Sequence, residues 1–195
     1  MDYLPVFFKI THQPCLVVGG GHIAKRKVNL LLKAEANVTV IALEVLPELK
    51  AQILAAGGQV IEQAYEASYV ANKRLVIAAT DDLALNKQVF DDCEALSIPV
   101  NVVDAPDLCR FIFPSIIDRS PVVVAISSSG QSPVLARMLR TRLESIIPAA
   151  YGQLAAFVGT FRKQVQQILP DTPTDVLFGN ESYKVNLPNW SITVV

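Results

Sequence analysis

The sequence predicts an α/β fold with a doubly wound parallel sheet, and three observations carry that expectation. Short apolar runs alternate with longer segments of helical spacing from Cys15 to Val103. Such alternation lays parallel strands beside covering helices. The first apolar run, Cys15 to Val18, leads into Gly19-Gly20-Gly21-His22-Ile23-Ala24. Gly19, Gly21 and Ala24 there fill a G-x-G-x-x-G/A turn. The chain has 195 residues, 51% of them hydrophobic, which suffices for one good core and a smaller appended unit.

Taken in order, Cys15 to Val18 reads as a buried strand, and Ile23 to Ala34 as a helix with apolar helical spacing. Val38 to Leu43 is a second strand. Pro47 to Ala56 is a helix stopped by Gly57-Gly58, and Val60 to Gln63 a short third strand. Leu75 to Ala79 is a fourth strand, Leu83 to Leu96 a helix, and Pro99 to Val103 a fifth strand. The pattern changes after Phe113-Pro114. Pro121 to Ile126 is a strand, followed by the turn Ser127 to Pro133. There Ser132 suits an N-cap and Pro133 a first helical position. Val134 to Ile147 is then a helix with an apolar face and an opposite face bearing Arg137, Arg140 and Arg142. A further amphipathic helix spans about Gln153 to Leu169. From Pro170 on, periodicity is lost and the chain reads as irregular; Asn189 to Val195 reads as a strand or tail. The expected division is 1–113, 114–147 and 148–195.

Composition excludes several function classes. A net charge of −1 gives no electrostatic footprint for nucleic acid or anionic membrane. No apolar stretch is long enough to span a bilayer. The start, Met1-Asp2-Tyr3-Leu4-Pro5, lacks a signal-peptide pattern. Cys15, Cys93 and Cys109 form no C-x-x-C and leave an odd count, which fits a reducing cytoplasm. His12 and His22 are the only histidines and have no zinc-type spacing, so no metal site is expected.

The glycine turn carries the clearest chemistry. Its first glycine allows a tight turn, its second lets backbone approach a pyrophosphate, and Ala24 lets helix pack on strand. The helix start adds free N–H groups and a positive dipole end. A nucleotide cofactor is the leading reading, against a ligand-free turn or another ligand such as S-adenosylmethionine. Ligands of such sheets bind at the carboxyl ends of the strands. Gly19 to Ala24, Thr80-Asp81-Asp82 and Asn101 to Asp107 are therefore site loops. Slightly past the tip of the second strand, Glu44 lies at about the distance at which a carboxylate holds ribose hydroxyls, with backbone groups of Leu43 and Glu44 as the alternative contact. Glu44 either grips the ribose or faces solvent. No Arg or Lys follows closely to receive a 2′-phosphate, which favours NAD over NADP. Asp104 follows the fifth strand, so it is either a base beside the nicotinamide end or an ordinary turn residue. Ser127, Ser128 and Ser129 either cap the next helix or join Arg137 as an anion-binding ensemble.

These motifs together resemble one family. Leu16-Val17-Val18-Gly19-Gly20-Gly21 with Ala24-Lys25-Arg26-Lys27, Ala78-Ala79-Thr80-Asp81-Asp82, Asn86, Asn101-Val102-Val103-Asp104, Phe113-Pro114-Ser115, and Ser127-Ser128-Ser129-Gly130 with Ser132-Pro133 are similar to the dehydrogenase/ferrochelatase half of siroheme synthase. The resemblance runs from Met1 to about Gln167. It implies a Rossmann-type sheet, a dimerisation segment in which two chains interlock, and a small helical C-terminal domain. It implies NAD-dependent oxidation of precorrin-2 to sirohydrochlorin and insertion of ferrous iron, with Fe2+ a substrate and the tetrapyrrole a carboxylate-rich partner.

Carried over residue by residue, the family's general base falls on Asp104. Its NAD contacts fall on His22, Ile23, Leu43 and Glu44. A serine phosphorylated in some bacterial members falls on Ser128. The full expectation is then a cofactor site of Gly19, Gly21, His22, Ile23, Ala24, Leu43, Glu44 and Thr80. The substrate site is Asn101, Ser127, Ser128, Ser129 and Arg137, and the enzyme is a cytoplasmic homodimer. Some family members are fused to a methyltransferase, for which this chain is too short. Ile168 to Pro173 breaks from the family pattern, which bears on chelation before dehydrogenation. A dehydrogenase without chelatase activity and a non-catalytic NAD-sensing domain are the rival readings.

Overall fold

The computed structural model describes residues 1–168 and the backbone of 183–187 and 190–194. Two compact units divide the chain: Met1–Pro114 with Ser127–Pro133, and Ser115–Ile126 with Val134–Val195.

The first unit is a five-stranded parallel sheet. Its strands are β1 (Pro14–Val18), β2 (Asn37–Ala42), β3 (Gln59–Glu62), β4 (Leu75–Ala78) and β5 (Val100–Val102), in the order β3-β2-β1-β4-β5. Helices α1 (His22–Lys33), α2 (Pro47–Ala55) and α3 (Leu83–Ala95) connect them. β1 is central: Val18 pairs with Ile41 of β2 on one side and with Ala78 of β4 on the other. The strand order reverses between β1 and β4, and such a switch point opens a crevice at the carboxyl ends.

Both faces of the sheet are covered, and β1 shows why its run is wholly apolar. Cys15 and Val17 join Val28, Leu31, Leu49 and Ile53 in one core. Leu16 and Val18 join Val70, Val89 and Cys93 in the other. These four of the five β1 side chains are buried, as expected for a parallel strand between helical layers. Ala24 is fully buried where α1 crosses the first core. The expected helices and strands of this unit all form, with ends differing by a residue or two. Two 3₁₀ turns, Ala67–Val70 and Pro106–Leu108, were not legible in the periodicity.

In the second unit, β6 (Ser115–Arg119) and β7 (Val122–Ile126) pair antiparallel, with Ile117 opposite Val124. Only β7 was expected. Ile116 and Ile117 form too short an apolar run to register alone, although Ile117 is 1% exposed. α4 (Pro133–Ile146) starts at the expected proline, and α5 (Ala150–Ile168) starts a little before the expected Gln153. Gly152 fits α5 against the β6–β7 turn, because a Cβ there would lie 2.1 Å from the Arg119 carbonyl oxygen. The Arg119 Nε donates to the Ile147 carbonyl at 3.0 Å.

The expectation of an irregular tail is corrected at Tyr183–Leu187, which forms β8 and pairs antiparallel with β9 (Trp190–Val194). Tyr183, Val185 and Leu187 alternate with Lys184 and Asn186, a period-two signal masked by the Pro- and Asn-rich flanks. The remainder of that expectation, residues 170–182, 188–189 and 195, lies outside the described residues.

Candidate functional site

The cleft at the carboxyl ends of β1, β2 and β4 has a volume of about 880 Å³. Its floor is the glycine turn, and the three glycines are required for three different reasons. Gly19 has φ +123°, and a Cβ there would lie 2.3 Å from the Ala79 carbonyl oxygen. It therefore serves both the turn and the approach of β4. Gly20 is outside the spacing rule, yet a Cβ there would lie 2.0 Å from the Glu44 carbonyl oxygen. The Gly20 carbonyl also accepts the Leu46 N–H at 3.0 Å, so Gly20 docks the β2–α2 loop against the turn. Gly21 is the N-cap of α1, and nothing lies within 4 Å of its absent Cβ. Its open side borders the cleft.

The first turn of α1 carries no side-chain cap and no acidic residue. Its amides therefore remain available, with the dipole, to an anion in the cleft. Leu43 and Glu44 line the cleft from the tip of β2, both exposed. His22 and Ile23 line it from α1, and Thr80 from the β4–α3 loop. The structure thus brings seven of the expected cofactor residues to one cleft: Gly19, Gly21, His22, Ile23, Leu43, Glu44 and Thr80. Ala24 stands behind them in the core, in the packing role that the turn assigns to its last small residue. The set fits a dinucleotide: open backbone at Gly21, a free helix start and a carboxylate at the second strand.

The β4–α3 wall is held by its own hydrogen bonds. Asp82 caps α3, its Oδ1 accepting from the Ala84 and Leu85 amides at 2.9 and 3.0 Å. Asn86 is 3% exposed and locks Thr80 from beneath. Gln63, Ala64 and Tyr65, beyond β3, close the far side of the cleft. Sequence reasoning missed them, although β3 adjoins β2 and its carboxyl end must fall at the same edge. Tyr65 donates to Asp92 Oδ2 at 2.9 Å. Burial, followed by Asp92, raises the Tyr65 phenol above its ordinary value, so it is a neutral donor.

Asp104 does not line this cleft. It lies two residues beyond β5, exposed, with φ +57°. That left-handed conformation is one that Asp tolerates better than most residues. The loop carrying it is tied down by its neighbours. Asn101 is buried, and its Nδ2 donates to the Phe111 carbonyl at 2.9 Å. Its donor therefore braces the loop from below. The Cys109 Sγ lies 3.1 Å from the Val102 carbonyl and 3.3 Å from that of Ala105. Burial raises the Cys109 thiol, and it is raised to about 11 in Cys15 and about 12 in Cys93. None is a thiolate nucleophile. Among the described residues no His, Cys, Asp and Glu cluster could hold a metal ion.

The serine turn folds with the first unit. Ser127 Oγ accepts the Ser129 N–H and Ser128 Oγ the Ser132 N–H, both at 3.0 Å. Ser129 and Gly130 take φ +52° and +83°. Arg137 is exposed on α4 and falls in the second unit.

Residues 6–115 match the family described as "Putative NAD(P)-binding". The chain belongs to this NAD(P)-binding family. Residues 119–146 of this NAD(P)-binding protein match a second family, described as "Sirohaem biosynthesis protein central". It is 54% identical over 167 residues to a siroheme synthase of Methylobacillus flagellatus, covering 86% of this chain and 36% of that protein. It is 50% identical over 170 residues to a siroheme synthase of a Psychrobacter species, covering 87% of this chain and 35% of that protein. The chain thus spans about a third of the length of the curated relatives it matches. Among solved structures it is similar to SirC, a precorrin-2 dehydrogenase. The TM-score is 0.70 at 25% identity, over 89% of this chain and 85% of that one.

Proposed function

We propose that this chain oxidises precorrin-2 to sirohydrochlorin with NAD, and that the same protein inserts ferrous iron to give siroheme. The observation that carries this reading is the open cleft at Gly21 and the α1 N-terminus in a chain half identical to siroheme synthases. NAD, when bound, accepts the hydride. Gly21 and the α1 amides would hold its pyrophosphate and Glu44 its adenosine ribose, with Thr80 lining the same cleft. With Glu44 acidic and no Lys or Arg among the described residues lining the cleft, a 2′-phosphate is disfavoured, which favours NAD.

The protein's own chemistry in this reading is proton transfer and anion binding. Loss of hydride from a C–H bond of precorrin-2 is accompanied by loss of a proton, and Asp104 accepts that proton. A carboxylate positioned at the reacting C–H is competent as such a base. In chelation two pyrrole N–H protons leave as Fe2+ enters, and Asp104 is available to accept them as well. Ser127, Ser128, Ser129 and Arg137 bind the substrate carboxylates, and Asn101 shapes the loop beneath. The protein works as a homodimer in the cytoplasm.

The test is anaerobic incubation with precorrin-2 and NAD, followed by absorption spectra, with ferrous iron added last. Conversion to sirohydrochlorin only with NAD, then to siroheme only with iron, is the expected result. Conversion without chelation leaves a dehydrogenase alone. NAD binding with no change in precorrin-2 overturns the enzymatic reading in favour of a sensor.

A further inference from the structure

Beyond the glycine turn, α1 carries a half-buried cation held over an aromatic ring. Lys25, Lys50, Lys87, Arg110 and Arg140 each pair with a carboxylate. Lys27 is half-buried, and among the described residues its ammonium makes no ion pair and no hydrogen bond. Its Nζ stands 4.1 Å from the centroid of the Phe113 ring, within cation–π range. Phe113 meets Phe111 edge-on, with centroids 5.4 Å apart. Phe111 is the residue whose carbonyl Asn101 holds. Lys27 is therefore fixed against the base of the loop that carries Asp104.

The electrostatics agree with this placement. Burial pushes the Lys27 ammonium below its ordinary value and Arg26 adds to that, while Cys109 and Asp104 pull it back up. Lys27 is thus within the electrostatic reach of Asp104 without a hydrogen bond to it. An ammonium has three N–H donors and no acceptor. Partial removal from water with those donors unengaged is unfavourable, and an arriving anion relieves it.

We propose that Lys27 is a substrate-binding residue that takes one carboxylate of the tetrapyrrole and so sets the macrocycle beside Asp104. The proposal rests on the tetrapyrrole reading above. It adds to the Ser127–Ser129 turn and Arg137 an anion contact on α1 of the Rossmann unit. The compact charge of lysine suits a single carboxylate oxygen approaching past an aromatic ring.

The test is titration of sirohydrochlorin into the NAD-loaded chain, followed by absorption, for wild type, Lys27→Met and Lys27→Arg. Methionine fills similar space over Phe113 without charge. Lys27→Met is expected to weaken binding by about tenfold to a hundredfold, the range of one charge-assisted hydrogen bond. NAD affinity should stay unchanged, and Lys27→Arg should recover most of the loss. The precorrin-2 KM should rise more than kcat falls. Equal sirohydrochlorin affinity in wild type and Lys27→Met overturns the proposal while leaving the tetrapyrrole reading intact. Equal loss in the Met and Arg variants, with a lowered Tm in both, assigns Lys27 to packing on Phe113 and also overturns it. Failure of wild type to bind sirohydrochlorin overturns the tetrapyrrole reading and this proposal with it.

Discussion

Thr80 and Asn86 hold each other across the first turn of α3: Thr80 Oγ1 donates to Asn86 Oδ1 at 2.8 Å, and Asn86 Nδ2 donates to the Thr80 carbonyl at 2.9 Å. The pair fixes one wall of the cofactor cleft. Asn86 is the buried member, so its truncation strands the groups it serves. Asn86→Ala is expected to destabilise the chain by about 1–3 kcal/mol and to weaken NAD binding. Thermal melts with and without NAD check both. An unchanged Tm would mean that the loop holds itself through the Asp82 cap alone.

Gly20 and Gly21 adjoin in sequence but part in function. Gly20→Ala puts a Cβ against the Glu44 backbone, which cannot retreat like a flexible side chain. A loss of about 1–3 kcal/mol of stability is expected, from overpacking. At Gly21 an added Cβ meets no protein atom within 4 Å, so Gly21→Val should lower Tm without ligand only by the modest N-cap preference for glycine, while the NAD-induced rise in Tm disappears. Melting curves with and without NAD separate the two. An equal NAD-induced shift in wild type and Gly21→Val would remove the pyrophosphate from this turn.

This contrast shows what was legible in the sequence. The spacing of Gly19, Gly21 and Ala24 marks the cofactor turn because the strand–turn–helix unit that requires it is contiguous in the chain. Gly20 matters through the β2–α2 loop, which lies more than twenty residues away in the chain, and no local rule reaches that far. Gln63 and Tyr65 were hidden for the same reason: their place in the cleft follows from β3 pairing with β2. Asn101 reads as a polar residue of a site loop, yet its donor is engaged by Phe111 O, a contact ten residues on. The Ile116-Ile117 run of β6 gained meaning only from its partner Val122–Ile126. Within the first unit, helices and strands were readable because both faces of the central strands and one face of each helix must be apolar.

The α4 helix supplies an assembly prediction. Val134, Met138 and Leu139 are 74%, 44% and 39% exposed in the single chain, on a helix whose only buried residue is Ala136. A second copy of the chain pairing over this helix would cover them. Light scattering at micromolar concentration should report a dimer, and Met138→Glu should shift it toward monomer. A monomeric wild type would refute the homodimer.

Ser128 accepts the Ser132 amide through its Oγ, so modification there changes both a local bond and a charge. Phosphate would add about −1.5 to −2 charge where carboxylates of the substrate are proposed to bind. Ser128→Asp keeps an acceptor and adds one negative charge, whereas Ser128→Ala removes the acceptor. The aspartate variant should therefore raise the precorrin-2 KM more than the alanine variant does. Steady-state kinetics on both decide the matter, and identical values would leave only the turn geometry as the role of Ser128.

Asp104 separates enzyme from sensor. It stands beyond β5 on a loop braced by Asn101 and Cys109 and is not among the residues lining the NAD cleft. Asp104→Asn keeps size and cannot accept the proton. NAD binding should survive, because every proposed cofactor contact lies on another loop. A positioned base contributes about 10²–10⁴-fold to the rate, so precorrin-2 oxidation should fall at least about a hundredfold, some 2.7 kcal/mol of barrier. Sirohydrochlorin supplied directly with ferrous iron isolates the second reaction. If chelation falls in parallel, one carboxylate accepts the protons of both steps. If chelation persists, Asp104 is the base for dehydrogenation alone, and the pyrrole protons leave by another route. If neither reaction slows, Asp104 is a turn residue in a left-handed conformation, and the catalytic assignment falls.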